Sequence, residues 1–422
     1  MSVTAVVGAQ WGDEGKGRIV DYLATKVDVV IRFQGGDNAG HTVVNDFGTF
    51  KLHLVPSGIF NPNTICLLGT GMVINPESFL KEVAELERAG IVCEGRLFIS
   101  DRAHILMPYH VLLDQAQEEA GKGIGSTKKG ISFAYVSKMA RTGLRFCDLP
   151  YVEERDILDR FFGECESAIK SLEDIPETYF WNELFPNLLR WKEVFSTYVI
   201  DSHRMLGKFR EEGKSILLEG QLGVMRDIDY GTYPYVTSSN PISGGVCAGA
   251  GLPPNQIDTI LGVVKAYSTC VGEGPFPTEL KGEEGNKLRE IGKEYGATTG
   301  RPRRCGWLDG VALKYSSELN GFNSIAVTKL DVLDSFPEIK ICVGYEIDGK
   351  PYEGVPSSSY LYGKVIPVYE TWHGWNRRTT EIRRFGYIPI EAQRYLKRIS
   401  EISGVLIKYV SVGPERDQII LI

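Results

Sequence analysis

The first part of the chain constrains the fold more than any other segment. Residues 3–7 form an apolar, β-branched run that predicts a buried strand, and residues 19–26 predict a helix. A glycine-rich loop from Gly8 to Gly17 lies between them, and residues 27–33 predict a second buried strand. Strand, loop, helix and strand in this order are typical of a parallel sheet. We therefore expect an α/β fold with a mostly parallel central sheet.

The rest of the chain indicates one large α/β domain spanning residues 1–422. Further buried strands are predicted at residues 64–68, 215–218, 260–264 and 324–328. Residues 149–212 contain little glycine and have a helical period, so we interpret them as a helical insertion. Gly, Pro, Ser and Tyr in residues 348–369 predict small β-hairpin subdomains. In parallel sheets ligands bind at the carboxyl ends of the strands, which directs attention to the loops that follow them.

Composition and charge exclude several functional classes. The 422 residues carry a formal net charge of −7, whereas nucleic-acid binders are more often basic, so we expect no nucleic-acid partner. The chain has no run of eighteen apolar residues, so we expect no membrane span. Glycines near the N-terminus interrupt any apolar core of a signal peptide, and we therefore expect a cytoplasmic protein. The 8 cysteines and 6 histidines form no zinc-like spacing, which predicts isolated reduced thiols.

The glycine-rich loop is a candidate phosphate site. Its glycines let backbone N–H groups approach phosphate, the helix start adds a positive dipole end, and Lys16 supplies a point charge. The usual G-x-x-x-x-G-K-[ST] motif is absent, because Gly17 replaces the hydroxyl that binds magnesium. The carboxylate of Asp13 is then the candidate oxygen ligand for Mg²⁺. The alternative is a glycine turn with two solvated charges, but the strand–loop–helix context favours phosphate.

A second loop, residues 35–42, ends the second predicted strand. If the two strands are neighbours, His41 lies close to Asp13. A carboxylate and an imidazole at a phosphate site suit proton removal and hydrogen bonding to developing charge. A purely structural histidine is the alternative.

Two further motifs indicate which ligands the protein binds, a guanine base and a small dianion. In Thr328-Lys329-Leu330-Asp331, a carboxylate can accept from the paired N–H donors of guanine while the lysine stem lies along the purine ring. The alternative is an ion pair at the strand edge. Residues 296–305 contain Arg301, Arg303 and Arg304, whose guanidinium groups suit a small dianion. A solvated charge run is the alternative there.

Taken together and in this order, the motifs resemble the adenylosuccinate synthetase family. The resemblance covers nearly the whole chain, through residues 10–17, 38–42, 229–240, 274–280, 298–301, 328–331 and 411–416. It implies a GTP-dependent ligase of purine nucleotide biosynthesis. The γ-phosphoryl group of GTP would pass to the 6-oxygen of IMP, and the amine of L-aspartate would then displace phosphate to give adenylosuccinate.

The resemblance also implies roles for individual residues. Asp13 would be the base and His41 would contact the phosphoryl group, with one Mg²⁺ per subunit held by Asp13 and the Gly40 carbonyl. The implied GTP contacts are Gly12, Gly15, Lys16, Gly17, Gly40, Thr42, Arg303, Lys329, Asp331, Ser411 and Gly413, which places the guanine side in residues 325–422. The implied IMP contacts are Asp13, Lys16, Asn38, Thr127, Arg141, Leu222, Thr237 and Arg301, with Arg141 reaching the partner's site in a homodimer. The implied aspartate contacts are Thr298, Thr299, Arg301 and Arg303.

The chain departs from the family pattern on the acceptor side. The family usually has Glu-Gly-Ala-Gln-Gly where this chain has Leu222 in the glutamine's place, so Gln221 would have to turn inward to supply an amide. Glu273 stands at a position that is usually small, and residues 126–133 are also altered. Two alternatives therefore stay open: a paralogue that ligates aspartate to another 6-oxopurine nucleotide such as (d)GMP, and a non-catalytic GTP-binding sensor.

Overall fold

The computed structural model describes residues 2–121, 123–170, 172, 175–176, 178–296 and 300–422. The strands, numbered in chain order, are β1 (Val3–Gly8), β2 (Val29–Arg32), β3 (His41–Asn45), β4 (Gly48–Leu52), β5 (Ile65–Leu68), β6 (Val73–Ile74), β7 (Leu97–Ser100), β8 (His104–Ile105), β9 (Val199–Ile200), β10 (Ile216–Gly223), β11 (Thr259–Lys265), β12 (Ser268–Cys270), β13 (Arg304–Gly306), β14 (Leu308–Asp309), β15 (Ser324–Thr328), β16 (Glu338–Ile347), β17 (Lys350–Tyr352), β18 (Ile366–His373), β19 (Ile407–Ser411) and β20 (Ile419–Leu421). The α-helices are α1 (Lys16–Ala24), α2 (Pro76–Arg88), α3 (Pro108–Glu119), α4 (Ile131–Ala140), α5 (Arg155–Ile169), α6 (Phe185–Val194), α7 (Ser202–Glu211), α8 (Ser243–Ala250), α9 (Glu283–Gly292), α10 (Gly310–Asn320), α11 (Ser359–Tyr362) and α12 (Ile390–Ser403).

A ten-stranded sheet forms the centre of the molecule, in the order β20-β19-β15-β11-β1-β10-β2-β5-β7-β9. Its strand pairs are parallel apart from β19 with β20, which is antiparallel. Small sheets accompany it, including the hairpin of β3 and β4 and the four-stranded group around β16. The predicted α/β class with a mostly parallel sheet and small hairpins is confirmed.

One expected neighbour relationship is wrong. Strands β1 and β2 do not pair with each other, because β10 lies between them and pairs in parallel with both. The loops after β1 and β2 are therefore separated at the sheet edge by the end of β10. This strand carries a buried carboxylate, Glu219, and it is the immediate neighbour of both β1 and β2.

Both faces of the sheet are buried, which explains why its strands are continuous apolar runs. Val30 of β2 packs in the same cluster as Ile19 and Val20 of α1. Its neighbours Val29 and Ile31 pack on the other side with side chains of α7. The alternation of consecutive residues between two clusters places α1 and α7 on opposite faces.

The segment at residues 149–212 contains α5, α6 and α7, and it also adds β9 to the edge of the central sheet. In the part of the chain that the structure describes, no helix is long and apolar enough to cross a membrane. The cytoplasmic location expected from the sequence stays a prediction.

Candidate functional site

The loop between β1 and α1 is closed by its own glutamate. Glu14 is fully buried, and its Oε1 accepts hydrogen bonds from the backbone N–H of Gln10 (3.0 Å) and Gly12 (2.9 Å). Its Oε2 accepts from Lys16 Nζ at 2.5 Å. Positive φ angles at Gly12 (99°) and Gly15 (87°) bend the loop into this shape. Glu14 therefore holds Lys16 at the start of α1, where a phosphate would bind.

The packing around Gly17 explains why the loop has no serine or threonine at this position. A Cβ at this position would lie 2.6 Å from His41 Cβ, so a serine or threonine would displace the histidine. The first turn of α1 is thus packed directly against the start of β3. His41 lies beside the phosphate loop, although β2 is not the neighbour of β1.

Glu219 at the end of β10 orients His41. Its Oε1 lies 2.5 Å from His41 Nδ1 and 2.7 Å from Ser57 Oγ, and its Oε2 accepts from the Ser57 backbone N–H at 2.8 Å. Burial opposes ionisation of this carboxyl, but the interaction with His41, the charge of Arg32 and the hydrogen bond from Ser57 together outweigh it and hold the pKa of Glu219 below its ordinary value. Burial lowers the pKa of His41. With Nδ1–H donated to Glu219, Nε2 is the nitrogen left for a ligand.

Asp13 faces an arginine of the predicted substrate loop. Arg303 Nε lies 2.7 Å from Asp13 Oδ2, and Arg303 Nη1 lies 2.6 Å from Glu294 Oε2. Glu294 is buried, whereas the Asp13 side chain is partly accessible. One guanidinium therefore bridges the candidate base and a buried carboxylate.

A cavity of about 450 Å³ opens beside this pair. Its wall includes several residues expected at the site from the sequence: Gly12, Asp13, Asn38, Gly40, Thr127, Leu222, Thr237 and Arg303. Glu273 also lines it. The phosphate loop, the loop after β2, the loop after β10 and the arginine-rich loop thus meet around one space.

Gln221 does not turn into the cavity. It is fully buried, and its Nε2 donates to the Gly36 carbonyl (3.0 Å) and to Asn38 Oδ1 (3.2 Å). Leu222, with a left-handed φ of 61°, is the residue of this pair that lines the cavity. The amide expected to replace the family's glutamine is instead used to fix Asn38.

The candidate guanine side lies on neighbouring strands. β15 and β19 pair in parallel, so Lys329 and Asp331 after β15 lie at the same sheet edge as Ser411 at the end of β19. Thr328 Oγ1 donates to the Glu14 carbonyl at 2.5 Å, which joins this edge to the phosphate loop. Burial raises the pKa of Asp331 to about 6, with a further contribution from the charge of Asp334.

Other expected residues lie away from the cavity wall. Arg141 ends α4 in an exposed position with a φ of 65°, and Arg301 is exposed on the arginine-rich loop. Thr42 is exposed on the hairpin of β3 and β4. Ser411 Oγ donates to the Gly413 carbonyl at 3.2 Å. Thr298 and Thr299 lie outside the described residues.

Comparison with known proteins gives the family. The family model described as adenylosuccinate synthetase matches residues 5–420. The chain belongs to the adenylosuccinate synthetase family. It is 48% identical over 428 residues to the adenylosuccinate synthetase of Caldanaerobacter subterraneus subsp. tengcongensis, covering 100% of this chain and 99% of that relative.

Two solved structures show the same architecture. Fully ligated adenylosuccinate synthetase from Plasmodium falciparum superposes with a TM-score of 0.92 at 37% identity, and the match covers 100% of both chains. Cyanophage S-2L succinoaminodeoxyadenylate synthetase, bound to dGMP and dATP, gives a TM-score of 0.63 at 19% identity, covering 100% of this chain and 95% of that chain. The second likeness concerns the fold alone.

Sequence reasoning missed three buried glutamates of this adenylosuccinate synthetase fold. Glu14, Glu219 and Glu294 are each fully buried and each hold a cation or histidine at the site. Glu219 had a usable signal, because it directly follows the buried run at residues 216–218 and precedes a glycine. Glu294 stands in a charged stretch after α9, where nothing local distinguishes it from a solvated residue.

Proposed function

We propose that the cavity beside Asp13 carries out the family reaction, the GTP-dependent ligation of L-aspartate to IMP. The γ-phosphoryl group moves to the 6-oxygen of IMP, and GDP leaves. The aspartate amine then forms a bond to C6, and the C6–O6 bond breaks as phosphate departs, which gives adenylosuccinate. The observation that carries this proposal is the meeting of a phosphate loop, a carboxylate and an arginine around one space of about 450 Å³.

Asp13 is the proposed base. It lines the cavity, its side chain is partly accessible, and Arg303 contacts Oδ2. Removal of the purine N1 proton makes the 6-oxygen a better nucleophile toward phosphorus. Arg303 holds the Asp13 carboxylate in place through Oδ2.

His41 is the proposed contact of the phosphoryl group. Glu219 accepts from Nδ1 and fixes the plane of the ring. The Nε2 edge can then meet charge that develops on the transferred group without reorganisation of the ring. Ser57 donates to both oxygens of Glu219, through its hydroxyl to Oε1 and through its backbone N–H to Oε2.

The remaining GTP contacts are proposed on both sides of the phosphate loop. Gly12, Gly15, Lys16 and Gly17 surround the phosphates, together with Gly40 and Thr42. Lys329 and Asp331 hold the guanine, with Ser411 and Gly413 beside it. A partly buried Asp331 favours guanine over adenine, because adenine lacks the paired N–H donors that a carboxylate accepts.

The cavity has oxygen ligands suited to one Mg²⁺. The Asp13 carboxylate and the Gly40 carbonyl would hold it, which fits an ion that is bound through one or two carboxylates and substrate phosphates. Groups of three or more His, Cys, Asp or Glu that could form an all-protein cage do not occur in the described parts of the chain. When bound, the ion would neutralise charge on the phosphates.

The acceptor side completes the proposal. Asn38, Thr127, Leu222 and Thr237 line the cavity and would hold IMP together with Lys16. Arg141 would contact IMP from the other subunit of a homodimer, since it is exposed at the end of α4 beside the exposed apolar side chains Val136 and Met139. Arg301, Thr298, Thr299 and Arg303 would bind the two carboxylates of aspartate.

One observation supports a second candidate acceptor. Leu222 and Glu273 both line the cavity, and a carboxylate there can accept from an exocyclic amine at purine position 2. A (d)GMP-type nucleotide is therefore the second candidate. A sensor without ligase activity has no such support, because it needs neither an aspartate loop nor a base.

The proposed function is tested by following the 6-oxygen of IMP into the released phosphate. Purified protein is incubated with GTP, Mg²⁺, L-aspartate and IMP labelled with ¹⁸O at position 6. The proposal expects adenylosuccinate by mass and ¹⁸O in the phosphate released. Phosphate without the label, or no adduct with IMP, would contradict it.

A further inference from the structure

Glu294 is a buried carboxylate to which four side chains donate. It is fully buried and lies two residues after the end of α9. Its Oε1 accepts from Lys265 Nζ at 2.9 Å, from Lys329 Nζ at 2.8 Å and from the hydroxyl of Tyr267. Its Oε2 accepts from Arg303 Nη1 at 2.6 Å. A single carboxylate therefore gathers three cationic side chains.

These cations come from different parts of the site. Lys265 ends β11, and its register partner Thr328 ends β15, directly before Lys329. Arg303 comes from the arginine-rich loop and contacts Asp13 on the cavity side. An unbroken series of contacts thus runs from Asp13 through Arg303 and Glu294 to Lys329, which also donates to the Gly292 carbonyl at 2.6 Å.

The electrostatics show that Glu294 is not an incidental ion-pair partner. Burial opposes its ionisation, but the charges of Lys265, Lys329 and Arg303 outweigh burial and hold the pKa of Glu294 well below its ordinary value. Burial lowers the pKa of Lys265 to about 8. Removing the negative charge would leave three cations crowded together without their shared acceptor, which is costly in a dry interior.

We propose that Glu294 is a positioning residue that sets Lys329 at the guanine end and Arg303 at the aspartate end at the same time. The inference rests on the proposed function, since it names how two of that site's contacts are held. The backbone of Lys329 does not fix where its ammonium lies, because the side chain is a flexible four-carbon stem. Glu294 supplies this constraint from a position outside the cavity.

The primary test is Glu294→Gln, which keeps the shape and removes the charge. The neutral amide has one acceptor oxygen in place of two and no charge to attract the cations, so we expect GDP to bind about tenfold or more weakly and the KM for aspartate to rise by a similar factor. The KM for IMP should change less. Affinity for GDP is measured by calorimetry and the KM values by phosphate release. Glu294→Asp, which keeps the charge, should lie nearer to the wild type.

A matched control separates positioning from stability. Asp309 is also fully buried, and it accepts from Tyr345 Oη (2.7 Å) and the Ala312 backbone N–H (3.0 Å) outside the cavity. Asp309→Asn should lower Tm while leaving the affinity for GDP and the KM for aspartate within about twofold. If Glu294→Gln behaves in the same way, with a lower Tm and unchanged ligand affinities, the inference is overturned.

A second variant covers the case in which Glu294→Gln does not fold. The double change Glu294→Gln with Lys265→Met removes one buried cation together with the carboxylate and restores the charge balance. It should regain stability but keep the weak GDP affinity and the raised KM for aspartate. Normal affinities in this folded variant would overturn the inference. Absence of GDP binding or ligation by the wild-type protein would instead contradict the proposed function.

Discussion

Asp13 and Arg303 form an ion pair at the wall of the cavity, with Nε of Arg303 2.7 Å from Oδ2 of Asp13. The same guanidinium contacts Glu294 through Nη1. The carboxylate proposed as the base is therefore anchored through Oδ2, and its side chain remains partly accessible. This geometry lets one residue accept a proton from the purine while the arginine-rich loop stays in contact with it.

Asp13→Ala should separate chemistry from binding. Because general-base catalysis contributes about 10²–10⁴-fold, we expect kcat to fall by that range while GDP still binds through Lys16 and the guanine side. Adduct mass and phosphate release measure turnover, and calorimetry measures binding. Turnover equal to the wild type would contradict the assignment of Asp13 as the base.

Glu219→Gln tests the support of His41. The amide can no longer accept from His41 and both Ser57 donors as the carboxylate does, so the ring loses its fixed orientation. We expect kcat to fall by about 10²-fold with the KM for GTP changed by less than about threefold. Ser57→Ala is the matched control, because it removes one donor to Glu219 and leaves the contact with His41. Equal losses of kcat in the two variants would argue against a specific role for the histidine.

Guanine binding should depend on pH through Asp331. Its pKa is raised to about 6 by burial, so the carboxylate is ionised above that value and protonated below it. As an acceptor of two N–H donors it must be ionised, and GDP affinity should therefore fall as pH drops through 6, approaching tenfold per pH unit. Asp331→Asn is the control for titration of the GDP phosphates. A wild-type profile parallel to that of the variant would refute the role of Asp331.

The local parts of this account could be predicted from the sequence, and the long-range parts could not. Apolar, β-branched runs located the strands that pass through the buried sheet, and glycines marked the loops at their ends. The order of the strands in the sheet cannot be predicted from short stretches of sequence. The insertion of β10 between β1 and β2 brings together segments about two hundred residues apart, which no short pattern records.

The candidate site shows the same division. Residues in glycine-rich loops, such as Asp13 and Asn38, lie on the cavity wall, and their roles there stay predictions. Glu219 and Glu294 were missed because their importance depends on burial and on partners from distant segments. The direction of the Gln221 side chain, toward Asn38 and away from the cavity, depends equally on packing that the sequence does not display.

The placement of Arg141 predicts complementation between two inactive variants. If Arg141 serves the partner's site, a mixed dimer of Asp13→Ala and Arg141→Ala has one site with both defects and one intact site. Random mixing of equal amounts should then restore about a quarter of the wild-type specific activity. Activity of the mixture is compared with each variant alone, across dilution. No recovery in a mixture shown to contain mixed dimers would place Arg141 in its own subunit's site or outside both.

The most direct test of the central claim is a panel of acceptors. Wild-type protein with GTP, Mg²⁺ and L-aspartate is given IMP, dIMP, GMP or dGMP in parallel, and adduct mass is measured together with phosphate release. We predict an aspartate adduct with IMP, one phosphate released per adduct, and little product with GMP or dGMP despite Glu273 in the cavity wall. An adduct with a 2-amino nucleotide in place of IMP would contradict the claim that IMP is the acceptor.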